Sequence, residues 1–139
     1  MEAKIESYLN HLQLTEHYDK EMEMSIWKEN PFIYDLSVTR CTSSAMLIAL
    51  KFGGSVFGYE VDQEHPKTII GFDCGGHDFC IVENFIVDYW AKYVNDPKLK
   101  AVIDMSNPAN AEYIKNHYLD KAQWESLELW PTVESVIAN

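Results

Sequence analysis

Thr39-Arg40-Cys41-Thr42-Ser43-Ser44-Ala45-Met46-Leu47-Ile48-Ala49-Leu50-Lys51-Phe52-Gly53-Gly54 is the stretch on which the fold turns. A small polar cluster runs into eight residues that are apolar almost all round, and paired glycines follow. Hydroxyl side chains before an apolar run start a helix, and glycines after it stop one. A helix that is apolar on every side is buried, so the rest of a small domain must wrap it. Its first turn carries one thiol, Cys41, at the positive end of the helix dipole, where a thiolate is favoured. That is a position suited to a nucleophile.

Upstream, Ile5, Tyr8, Leu9 and Leu12 recur at helical spacing between polar residues, which predicts an amphipathic helix over about the first dozen residues. Thr15 reads as the cap of a second helix, with Tyr18, Met22 and Ile26 on one face, ending before Pro31. Asn30 to Val38 reads as a loop or short extended piece. Downstream, the period changes from helical to alternating. Ser55 to Val61, Thr68 to Phe72, His77 to Val82 and Phe85 to Trp90 read as strands, separated by turn residues. Asn107-Pro108 starts a further helix with Ala111, Ile114 and Tyr118 on its apolar face. The tail, with Trp124, Leu127 and Trp130, is expected to pack back onto the domain. The expected fold is α+β: N-terminal helices and a buried central helix packed on a small antiparallel sheet, with residues 1–139 forming one domain.

The totals bound the function. The 139 residues are 47% hydrophobic and 13% aromatic, a folded and not a disordered composition. The net charge of −11 repels phosphate backbones and anionic lipid, so neither nucleic acid nor membrane is the expected partner. Three cysteines do not make a disulfide framework. With no basic-then-apolar start and no run of bilayer length, the expected location is the cytoplasm, or outside the cell by a route without a cleaved signal.

The strongest chemical signal is the pair His77 and Asp88. If Glu83-Asn84 is a two-residue hairpin turn, Val82 faces Phe85, Phe79 faces Asp88 and His77 faces Trp90. His77, Phe79, Ile81, Ile86, Asp88 and Trp90 then share one face, expected to pack on the Cys41 helix. His77 and Asp88 become diagonal neighbours roughly 7 Å apart at the backbone. The carboxylate can hold one imidazole nitrogen and leave the other for a thiol, and a thiol needs such a partner to attack an amide carbon. Backbone N–H groups at the start of the Cys41 helix are placed to hold the oxyanion. Cys74, His77 and Cys80 have spacing reminiscent of a zinc site but no fourth ligand, and Cys80 faces away from His77, so no metal and no cofactor is expected.

In the order cysteine, buried helix, glycines, Gly76-His77-Asp78-Phe79-Cys80-Ile81-Val82 and Ile86-Val87-Asp88-Tyr89-Trp90, residues 39–91 resemble the papain-like and transglutaminase-like superfamily. The resemblance implies a cysteine nucleophile on a central helix, packed against an antiparallel sheet that supplies histidine and an acid or amide. Cys41 takes the nucleophile's place, His77 the base's and Asp88 the orienting acid's. Small members include bacterial toxin and effector domains, thiol proteases and protein-glutamine deamidases. The implied activity is hydrolysis or acyl transfer at an amide of a protein or peptide substrate. Two positions depart from the papain pattern: no glutamine stands close upstream of Cys41, and Thr42 replaces the aromatic often found after the cysteine. The competing readings are a non-catalytic acidic binding protein of the immunity or inhibitor type, and a catalytically dead papain-like adaptor.

Overall fold

A computed structural model describes residues 1–14 and 40–127 of the chain. The helix expected after Thr15, the loop before Thr39 and the tail beyond Leu127 lie outside the described residues. The described elements are α1 (Glu2–Leu14), α2 (Arg40–Phe52), β1 (Ser55–Glu60), β2 (Gly76–Val82), β3 (Phe85–Val87), β4 (Val102–Asp104), α3 (Ala111–Tyr118) and β5 (Glu125–Ser126). The five strands form one antiparallel sheet in the order β4-β3-β2-β1-β5, so the class is α+β.

The stop signal of α2 acts as its sequence implies. Gly53 takes φ 75°, a left-handed conformation open to a residue without a Cβ, and its N–H donates to Ala49 O at 2.8 Å. The buried side of α2, Ala45, Met46, Ile48 and Ala49, packs on Val56, Cys80, Val82 and Val87 of the sheet. Ile5 and Leu9 of α1 complete that core with no more than 1% exposure each. Burying two such side chains contributes on the order of 3–6 kcal/mol before ordering costs are subtracted. A second core lies on the opposite face of the sheet. There Tyr59, Phe79, Ile86 and Ile103 meet Val61, Ile69, Ile70, Tyr118 and Leu119. The connection from β4 to β5 carries α3 across this face, because the two strands stand at opposite edges.

Three expectations are corrected. Residues 68–72 form turns and not a strand: Ile69 N–H donates to Pro66 O and Phe72 N–H to Ile69 O, while Gly71 reverses the chain at φ 89°. The strand expected to reach Trp90 ends at Val87, because the Asp88 carboxylate caps a helical turn by accepting from Ala91 N–H at 3.1 Å. A π-helical turn, Ala91–Asn95, follows. The third correction concerns the site. The face of β2 that meets α2 carries Cys80 and Val82, so His77, Phe79 and Ile86 lie on the sheet's other face. Both faces of β2 and β3 are apolar, so alternation tells which residues share a face but not which face the helix covers.

Candidate active site

The hairpin register places the pair. Val82 faces Phe85 and Ile81 faces Ile86 across the Glu83-Asn84 turn, so Asp88 follows directly on the strand that flanks β2. His77 stands near the start of β2, opposite Tyr59 of β1. Both site residues are sealed from water, His77 at 3% and Asp88 at 2% exposure. The His77 Nε2 and Asp88 Oδ2 atoms are 2.6 Å apart, the short distance of a charge-assisted hydrogen bond. Asp88 Oδ2 also accepts from the Tyr118 hydroxyl at 2.7 Å, and Oδ1 takes the Ala91 N–H. A buried carboxylate needs such partners, since unpaired it would lose several kcal/mol of solvation.

Around the imidazole stands an aromatic cage. Ring centres of Trp90, Tyr59, Tyr118 and Phe79 lie 5.2, 6.1, 6.2 and 6.3 Å from that of His77. Burial in this cage pulls the proton affinity of His77 down, but the charge and hydrogen bond of Asp88, helped by Cys41, outweigh it and push the imidazole up to about 10. His77 is therefore an imidazolium at neutral pH, with two N–H donors. One is taken by Asp88. The other nitrogen, Nδ1, is buried and makes no hydrogen bond of ordinary length and angle among the described residues. The Cys41 thiol, half-buried in the first turn of α2, acts on the ring at a looser geometry, both as hydrogen-bond partner and as charge. An imidazolium beside a thiol favours the thiolate.

A second carboxylate approaches from the helix side. Asp78 accepts a hydrogen bond from Thr42 Oγ1, which ties β2 to the first turn of α2 next to Cys41. Burial holds the Asp78 carboxyl above its ordinary range, partly offset by Thr42 and by the nearby His77. Gly58 faces Asp78 across the β1–β2 pair, and a Cβ there would lie 2.0 Å from Asp78 Oδ1, so only glycine leaves the carboxylate its place. Beside this contact opens a cleft of about 550 Å³ lined by Gly58, Tyr59, Glu60, His65, Asp78 and the β5 edge. Among the described residues its lining carries the carboxylates of Glu60, Asp78 and Glu125 and no lysine or arginine.

The structure thus joins His77 and Asp88 directly and sets Cys41 beside the ring, with the helix and the imidazole on opposite faces of the sheet. Cys80 is buried in the α2 core and Cys74 is exposed in the turn before β2. Among the described residues no group of three metal-binding side chains occurs, and no helix is long and apolar enough to cross a membrane. Sequence reasoning missed the roles of Tyr118, Thr42 and Asp78. Tyr118 was legible only as an apolar-face residue of α3, because its hydroxyl partner is 30 positions away. Compared with family models, with curated proteins and with solved structures, the chain matches none.

Proposed function

We propose that the protein is a cysteine-dependent amide hydrolase or acyl-transfer enzyme of papain-like type, with Cys41 as nucleophile, His77 as proton carrier and Asp88 as the acid that orients the imidazole. The observation that carries this reading is the buried His77–Asp88 hydrogen bond of 2.6 Å, which leaves Nδ1 as the ring atom available to the Cys41 thiol. In the first step the Cys41 sulfur attacks an amide carbon. The C–N bond then breaks as the His77 imidazolium gives its proton to the leaving nitrogen. The product is a thioester and a neutral imidazole. Water, or an amine acceptor, next gives its proton to His77 and attacks the thioester, and the C–S bond breaks to restore thiolate and imidazolium. Oxyanion charge in both steps falls to backbone N–H groups in the first turn of α2, which lack intrahelical acceptors. A protein or peptide side chain has room in the cleft beside Asp78.

Cys41→Ser tests the reading, since the swap is nearly isosteric. Wild-type protein and variant are incubated with a panel of proteins and peptide amides, and released ammonia, new amines and new amide bonds are measured. The expected result is loss of all product in Cys41→Ser with unfolding unchanged. Full retention by the variant overturns the enzyme. A binder acting through its acidic surface would instead keep its effect in Cys41→Ser and lose it with added salt.

A further inference from the structure

Tyr118 is fully buried and takes no part in the proton transfers above, yet its hydroxyl donates at 2.7 Å to Asp88 Oδ2, the oxygen that also meets His77. The phenol has little freedom to be elsewhere. It sits in the last turn of α3, whose free carbonyls are held from three sides. Thr68 Oγ1 donates to Asn116 O at 2.9 Å, Ile70 N–H to His117 O at 2.9 Å, and Trp124 Nε1 to Tyr118 O at 2.6 Å. Its ring stands edge-on to Phe79, with centres 5.1 Å apart. A carboxylate held at one oxygen by Ala91 N–H and by a single imidazole at the other could still tilt about its Cβ–Cγ bond. A second donor fixed in the core on Oδ2 removes that freedom.

We infer that Tyr118 is a positioning residue of the site: its hydroxyl locks the Asp88 carboxylate so that Oδ2 holds His77 Nε2 and Nδ1 is left for Cys41. What this orientation serves rests on the proposed cysteine chemistry, but the orientation itself is measurable without any substrate. Tyr59 supplies the comparison. It is also buried and also borders the His77 ring, yet its hydroxyl donates to Ile70 O at 2.8 Å and does not bond Asp88. Tyr118→Phe and Tyr59→Phe each remove one buried hydroxyl from the cage while keeping its ring.

The experiment follows the His77 ring resonances against pH in wild type and both variants, and the Cys41 alkylation rate over the same range. In Tyr118→Phe, Asp88 loses a competing donor and pulls harder on the imidazolium, so the His77 midpoint is expected to rise by roughly half a pH unit. The pH profile of alkylation shifts with it, and turnover falls about tenfold. Tyr59→Phe leaves the midpoint and the profile in place. An unchanged His77 midpoint in Tyr118→Phe, or equal responses in the two variants, overturns the assignment. If Tyr118→Phe does not fold, the wild-type protein still decides. A slowly exchanging Tyr118 hydroxyl proton with a nuclear Overhauser contact to His77 Nε2–H supports the lock, and its absence refutes it. Failure of the enzyme reading would appear differently, as Cys41-independent activity or none, with the difference between the two tyrosine variants intact.

Discussion

Replacing Asp88 by asparagine keeps the shape of the side chain and removes its charge, and the structure sets how the protein must then respond to pH. In the wild type, burial lowers the affinity of His77 for a proton, while Asp88 and Cys41 reverse this and bring the midpoint to about 10 from an ordinary 6.5. A folded midpoint above the unfolded one means that the protonated ring stabilises the fold. That stabilisation is complete below about pH 6.5 and is lost as pH rises through about 10. Each pH unit between the two midpoints is worth about 1.4 kcal/mol, so the linkage is on the order of a few kcal/mol and at most about 5.

In Asp88→Asn the burial effect remains and the opposing charge is gone. The His77 midpoint should fall below 6.5, and its contribution changes sign: stability now rises with pH as the unfolded ring loses its proton. The asparagine amide also turns a donor toward a site built of donors, the imidazole, the Tyr118 hydroxyl and Ala91 N–H. Between pH 6 and 10 the gap between the two proteins should therefore be widest at pH 6, about 3–5 kcal/mol, as for a broken buried ion pair. It should narrow steadily toward pH 10. Urea unfolding at pH 6, 7.5, 9 and 10, together with titration of the His77 ring by NMR, measures both quantities. A gap that stays constant from pH 6 to 10, or a wild-type His77 that titrates near 6.5, refutes the reasoning.

Two further outcomes are expected. Iodoacetamide near neutral pH should label Cys41 faster than the exposed Cys74, and Cys80 only on unfolding, since burial and the Asp88 charge push the Cys80 thiol up; peptide mapping reads the order, and slower labelling of Cys41 than of Cys74 counts against it as nucleophile. Gly71→Ala should destabilise the fold by about 2 kcal/mol or more, because its Cβ would lie 2.1 Å from Gly76 O at a φ of 89°; thermal unfolding measures it, and a change within about 0.5 kcal/mol would mean that the turn before β2 can shift.

What was legible in the sequence was what local chemistry decides. Gly53-Gly54 ended α2 because Gly53 takes the left-handed stop without the strain a Cβ would add, and Glu83-Asn84 set the hairpin register through the length of its turn alone. From that register the closeness of His77 and Asp88 followed. Illegible was what depends on distant partners. Ile69 and Ile70 are buried whether in a strand or in turns, so apolar alternation could not distinguish the two. The strands β4 and β5, three and two residues long, exist through the strands they pair with. Asp88 looked like a strand residue because its capping of the turn at Ala91 is a side-chain act with no signature in the period. Which face of the sheet α2 covers could not be read from alternation, because both faces of β2 and β3 carry apolar side chains.

Breaking a buried pair of imidazolium and carboxylate is costly, but the intact pair often holds a fold no better than apolar side chains of the same volume would. Removing both from water is expensive, and their attraction does no more than offset that expense when every remaining donor and acceptor is satisfied. Here the carboxylate is satisfied, by His77, Tyr118 and Ala91, while Nδ1 of the imidazole makes no hydrogen bond of ordinary length and angle among the described residues. Apolar side chains of similar volume among Tyr59, Phe79, Trp90 and Tyr118 would fill the same space without that penalty. Stability therefore accounts poorly for His77 at this position. On the proposed cysteine chemistry the position has a reason, because a ring held at Nε2 by Asp88 keeps its Nδ1 side for a reacting group. The group that stands beside it, at the start of α2, is the thiol of Cys41.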